Sequence, residues 1–259
     1  MCLILFAYRI HPVYQLIVAA NRDEFYQRPT APARFWEDHP DILAGRDLEK
    51  MGTWMGVTKT GRFASLTNYR DPKEITNGKR SRGELVANAL AFEGHIRDYM
   101  QNLVKNKYQY PGYNILSGDI NELFYYSNVG GELRKLEPGI YGVSNHFLDT
   151  EWPKVNKGKE GLAEIVFGDK GGSGLVDQLL GLLQNADPAA DEVLPHTGVS
   201  LDMERMLSPL FIQSEHYGTR SSTVMLMSDD EIQYVERVYS RDGVKDGEFR
   251  IKIRDPIDG

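Results

Sequence analysis

The first twenty-four residues constrain the fold more than any other segment. Leu3-Ile4-Leu5-Phe6 and Val13-Tyr14-Gln15-Leu16-Ile17-Val18 are runs rich in β-branched and aromatic residues. Arg9-Ile10-His11-Pro12 separates them, and Pro12 has no N–H to give to a central ladder. The pattern predicts an antiparallel β-hairpin. With Tyr8 facing about Tyr14, counting back along both arms sets Cys2 opposite about Ala20. Asn21-Arg22-Asp23-Glu24 then emerges beside the start of the chain. Neighbouring strands lie ~4.8 Å apart, so side chains of that segment can reach Cys2.

Past the hairpin, a polar connection containing Pro29, Pro32, Pro40 and Gly45 leads to two strands, Thr53 to Thr58 and Arg62 to Thr67, around the turn Lys59-Thr60-Gly61. These end at Asn68-Tyr69-Arg70. Arg82 to Phe92 and His95 to Asn106 have helical periodicity, and Tyr113 to Ser117 and Glu122 to Ser127 form a second hairpin pattern. Ile140 to Ser144 reads as a strand, and Trp152 to Phe167 as a helix with Pro153 in its first turn. The cluster from Gly168 to Gly174 lacks the spacing of a phosphate loop and reads as a linker, with Ser173 capping a helix over Leu175 to Gln184. Leu201 to Leu210 predicts a short helix. Ser222 to Met227, Ile232 to Val238 and Phe249 to Ile253 predict a strand meander. Strands at both ends with helices grouped between them predict an α+β fold of largely antiparallel sheets, formed by residues 1–259 as a single domain.

Charge and apolar runs exclude several partners. Thirty Lys and Arg stand against 37 Asp and Glu, a formal net charge of −7, which gives no sequence-wide attraction to nucleic acid. The apolar runs near the start are far shorter than the ~20 residues of a membrane span, and no basic region precedes them as in a secretory signal. We therefore expect a cytoplasmic chain without integral membrane association. A single cysteine forms no intrachain disulfide, in keeping with a reducing compartment.

That cysteine is the first candidate for chemistry. Methionine aminopeptidases remove Met1 when a small residue follows, which would leave Cys2 with a free α-amine. A thiol of pKa ~8.5 beside an amine of ~7.7 gives one residue both nucleophile and base. The alternative is a small buried hydrophobe opening a strand. The segment after the second strand shifts the balance: Arg22 can favour a thiolate, and Asp23 or Glu24 can hold an ammonium, although strict alternation sends Arg22 and Asp23 to opposite faces. The histidines at 11, 39, 95, 146, 196 and 216 have no metal-binding spacing, and no G-x-S-x-G elbow is present.

Five segments together resemble the NRDE family, whose animal members are called transport and Golgi organisation proteins. They are Met1-Cys2, Asn21-Arg22-Asp23-Glu24, Thr67-Asn68-Tyr69-Arg70, Val143-Ser144-Asn145-His146-Phe147 and Gly218-Thr219-Arg220-Ser221-Ser222-Thr223-Val224. The family is similar in turn to N-terminal-nucleophile hydrolases of the penicillin V acylase and bile salt hydrolase type. That resemblance implies an αββα sandwich and a cysteine amidohydrolase acting on a small amide or acyl substrate. It also implies roles for particular residues: Cys2 as nucleophile, Asn68 and Asn145 as oxyanion donors, and Arg22, Asp23 and Arg220 as electrostatic support, with Asn21 and Glu24 beside them. Those hydrolases carry Arg-Asn-x-Asp where this chain has Asn-Arg-Asp-Glu, so Glu24 is an alternative to Asp23. No cofactor is required by this reading. The competing reading is a non-catalytic protein on the same scaffold that handles haem, acyl lipid or acyl-coenzyme A. Under it, haem would take Cys2, a histidine such as His146 or His216, or a methionine as axial ligand.

Overall fold

A computed structural model describes residues 2–169, 174–240 and 243–253. In chain order the described residues form β1 (Cys2–Tyr8), β2 (Leu16–Phe25), β3 (Thr30–Phe35), β4 (Ile42–Asp47), β5 (Met55–Thr58), β6 (Phe63–Asn68), α1 (Gly83–Ala91) and α2 (Ile96–Lys105). There follow β7 (Tyr113–Gly118), β8 (Leu123–Ser127), β9 (Leu133–Lys135), β10 (Gly139–Val143), α3 (Pro153–Gly168), α4 (Leu175–Leu183), α5 (Leu201–Leu207), β11 (Tyr217–Met227), β12 (Glu231–Ser240) and β13 (Gly243–Lys252). One antiparallel sheet has the order β10-β1-β2-β11-β12-β13, the other β3-β4-β5-β6-β7-β8-β9.

Strand alternation decides the layering. Ile4, Phe6, Tyr8, Leu16 and Val18 point from the first sheet towards Met55, Val57, Phe63 and Leu116 of the second, which makes the inter-sheet core. Leu3, Leu5, Ile17 and Ala19 point the other way, onto Val155 and Leu162 of α3 and Leu179 and Leu183 of α4. On the far side, α1 and α2 cover the second sheet through Leu85, Val86 and Met100 against Ala64, Leu66 and Ile115. The result is the α+β, αββα sandwich expected from the sequence. Burial of each large side chain in these layers stabilises it by roughly 1.5–3 kcal/mol. Among the described residues no helix is long and apolar enough to cross a membrane.

Several local expectations need correction. The hairpin register is two residues off: Tyr8 pairs with Leu16, and Cys2 with Arg22. The loop is longer than the Pro12 break suggested, since Arg9, at φ 53°, donates its N–H to Gln15 and residues 9 to 15 all lie outside the strands. The connection between residues 26 and 52 contains β3 and β4. Pro32 is tolerated there because β3 is an edge strand whose pairing with β4 is interrupted between Ala31 and Arg34. The short β9 also went unexpected. Helix α4 takes Gly174 as its N-cap, in the left-handed region at φ 118°, and Ser173 lies outside the described residues. Helix α5 ends at Leu207, three residues early.

Candidate active site

Cys2 opens β1 on the inter-sheet face, with Ile4 and Phe6 behind it, and lines a cleft of about 370 Å³. Only 8 % of the residue is exposed. Burial pushes its thiol above the ordinary value; the Asp23 carboxylate adds to that, while Arg22 and the Asp23 backbone N–H oppose it. The Ser144 hydroxyl, just beyond β10, lies 3.0 Å from the Cys2 carbonyl oxygen and pins the start of the strand.

The Asn-Arg-Asp-Glu segment divides by face. Arg22 sits directly across the ladder from Cys2, on the cleft side, with Glu24 at 3.7 Å. Glu24 lies 3.9 Å from Arg28 as well and accepts the backbone N–H of Phe25. Asn21 turns to the helix side, and Asp23, on the same face of the strand, also borders the cleft. Asn21 donates its amide to the carbonyls of Leu183 and Leu210 and accepts from the Ser222 hydroxyl. Asp23 is almost fully buried and accepts from the Thr219 hydroxyl at 2.7 Å. Burial raises its carboxyl, and Lys154, the Thr219 bond and Arg22 draw it back.

Arg220 reaches the cleft through an irregularity. The pairing of β11 with β2 shifts between Thr219 and Ser221, so Arg220 has no partner in the ladder and the strand re-aims its side chain. Asn68, the last residue of β6, also lines the cleft, and among the described residues no hydrogen bond engages its side-chain amide. Asn145 departs from the expectation. It is fully buried, is not part of the cleft lining, and donates its amide to the Asn68 carbonyl at 2.9 Å, so it holds the end of β6 and aims no donor into the cleft.

The candidate haem ligands separate in the same way. Cys2 lines the cleft, whereas His146 packs on Tyr69, Phe147 and Trp152 with Nδ1 2.9 Å from the Thr150 hydroxyl, and His216 is exposed. Among the described residues no His, Cys, Asp or Glu group is arranged to hold a metal ion.

Two contributors escaped the sequence reading. Lys154 is buried, and among the described residues its ammonium has no hydrogen-bond partner; burial brings it down to about 8 against the pull of Asp23. The available signal was a lysine on the buried stripe of α3 with Gly158 and Leu162 at four-residue spacing. Arg82 enters the cleft just before α1, where Gly52 and Gly83 let two backbones meet: a Cβ on Gly52 would lie 2.4 Å from Gly83.

A four-layer αββα sandwich with a cysteine opening an inner strand of one sheet has the N-terminal-nucleophile-hydrolase-like fold. Its solved likenesses include the Caenorhabditis elegans N-acylethanolamine-hydrolyzing acid amidase ortholog, at TM-score 0.52 and 11 % identity over 87 % of this chain and 92 % of that one. Residues 1–241 match the family Transport and Golgi organisation 2, and the chain belongs to that family. It is 35 % identical to the Bos taurus Transport and Golgi organization protein 2 homolog and 30 % identical to the Drosophila melanogaster protein, over 92 % and 91 % of both chains respectively.

Proposed function

We propose that the chain is a cysteine amidohydrolase with Cys2 as nucleophile, made the first residue by removal of Met1, which lies outside the described residues. The observation that carries this reading is the convergence on one cleft of Cys2 from β1, its hairpin partner Arg22 from β2, Asn68 from β6 and Arg220 from β11, of which only Cys2 and Arg22 are brought together by local structure. The name of the amidase of similar fold says that it hydrolyses N-acylethanolamines, which supports an acyl amide as the bond cleaved.

In this mechanism the Cys2 α-amine takes the thiol proton and the sulfur attacks the amide carbonyl carbon. Arg22 stabilises the thiolate that burial disfavours. The oxyanion accepts from the Asn68 side-chain amide, while Asn145 holds the Asn68 backbone by donating to its carbonyl. Collapse breaks the C–N bond, and the proton on the α-ammonium goes to the departing nitrogen. Water, losing a proton to the same amine, cleaves the thioester and returns the thiol. Asp23 holds the ammonium form.

The test is release of amine from a series of N-acyl amides of increasing chain length. Turnover by the native protein is expected, with a loss of at least about 10³-fold in Cys2→Ala, some 4 kcal/mol of barrier. Asn68→Ala should lower kcat by roughly 10²–10³. Absence of amine release across the series by native protein would overturn the reading in favour of a carrier of haem or acyl lipid.

A further inference from the structure

The cleft has a charge opposite to that of the chain that builds it. Against a formal −7 for the whole sequence, its walls carry eight Lys and Arg and four Asp and Glu among the described residues. One of the four acids, Glu236, is buried and accepts the Ala33 N–H at 2.6 Å; burial pushes its carboxyl up, towards the neutral form.

Most of the wall cations are already paired. Arg46 makes a two-pronged contact to Asp38 at 2.6 Å, Arg28 meets Asp47 at 2.6 Å, and Arg80 meets Glu84 at 2.8 Å. Arg82 and Arg220 are different. Arg82 donates to the Gly112 carbonyl at 2.9 Å. Arg220 donates to the carbonyls of Phe25 and Arg28 at 3.0 and 3.1 Å and to the Thr30 hydroxyl at 3.3 Å. Among the described residues no carboxylate lies within ion-pair distance of either guanidinium. Burial holds both below the ordinary arginine value, whereas Arg28 and Arg46 on the same walls sit above it. A partly buried cation that meets only neutral acceptors is incompletely compensated, and an anion entering the cleft supplies what is missing.

Both residues are also placed by special backbone. Arg220 occupies the irregularity in β11, and Arg82 follows from the Gly52–Gly83 approach. We propose that the substrate of this cleft carries an anionic group besides its acyl carbonyl, a phosphate, sulfonate or carboxylate, and that Arg82 and Arg220 bind it. The word substrate rests on the hydrolase reading; the anion site does not.

The experiment is calorimetric binding of octyl phosphate, octyl sulfonate and octanoate, with octanol as the neutral counterpart, to the native protein. At low salt at least one anion should bind about tenfold tighter than octanol or better, and the tightest of the three identifies the headgroup. Arg82→Gln and Arg220→Gln should each reduce that preference about tenfold. Arg46→Gln should change it less than about twofold, because its charge is already met by Asp38. Arg82→Lys and Arg220→Lys keep the cation and should restore most of the preference, which separates charge from folding. Octanol binding as well as every anion, or a preference that survives both Gln substitutions, would overturn the proposal. Because these ligands contain no amide, that outcome leaves the hydrolase reading intact. Absence of amine release from N-acyl amides defeats the hydrolase reading and leaves the anion site standing.

Discussion

Asn21 and Arg22 are neighbours in the chain and lie on opposite faces of β2. Asn21 spends its side chain entirely inside the protein, tying β2 to the end of α4, to Leu210 and to Ser222. Arg22 faces the cleft, opposite the one cysteine, and among the described residues its side chain pairs with Glu24 alone, at a loose 3.7 Å. Asp23 and Glu24 repeat the division, the first buried towards the helices and the second turned to the guanidiniums of Arg22 and Arg28. A polar run that closes an apolar strand is therefore two sets of residues interleaved by the two-residue period: one reaches towards the helical layer and the other opens onto the cleft.

Substitutions on the two faces should separate stability from activity. The largest loss of stability is expected for Asn21→Leu, which leaves two buried carbonyls without their donor. The Ser222 hydroxyl keeps the Tyr239 hydroxyl as a partner, so the loss rests on the two carbonyls, and we expect about 2–3 kcal/mol, a fall in Tm of roughly 5–10 °C by calorimetry. A loss below 1 kcal/mol would show that the bridge to α4 is dispensable.

Lys154 gives the same face a pH signature. Its folded pKa of about 8 lies below the 10.5 of the exposed side chain, so between those values the unfolded chain binds more protons than the folded one. Stability from this residue consequently rises as pH climbs from 8 to 10.5, and the cost of the buried charge is fully present below 8. Lys154→Met should flatten that slope in chemical denaturation curves. Parallel slopes in variant and native protein would mean that the ammonium is not held in a low-dielectric site.

The smallest stability effect is expected on the cleft face. Arg22→Gln removes only a loose 3.7 Å contact between partly buried side chains and should cost about 1 kcal/mol, well below the loss expected for Asn21→Leu. Its effect should appear in kcat instead, about tenfold or more, since the buried thiol then loses its neighbouring cation. A variant that melts far below the native protein with kcat intact would reverse the division between faces.

Much of this arrangement was legible in the chain, for identifiable reasons. The uninterrupted apolar runs Leu3 to Phe6 and Leu16 to Ala20 mark a strand pair, which the layers bury on both faces, and from their pairing the neighbourhood of Cys2 and Arg22 follows. The two-residue slip in register came from the loop, whose length depends on Arg9 taking a left-handed conformation that no local pattern announces. Prolines disguised β3, which survives because an edge strand needs only one set of ladder bonds. Cys2, Arg22, Asn68 and Arg220, singled out from motifs, line one cleft, but the direction of the Asn145 amide was not legible, because it depends on the contact between the end of β10 and the end of β6. Arg82 and Lys154 are further examples: a basic residue before a helix says nothing of a cleft, and one in a first helical turn nothing of burial, until the layers stack around them.

The central claim is that Cys2, with its own amine free, is a nucleophile in the cleft, and intact mass tests it most directly. Native protein should be short of the full sequence by one methionine. After incubation with a thiol-directed lactone it should gain a single adduct that maps to Cys2 and is absent from Cys2→Ala. Native protein that retains Met1 on every chain, or that remains unlabelled where an unfolded control is labelled, would contradict it.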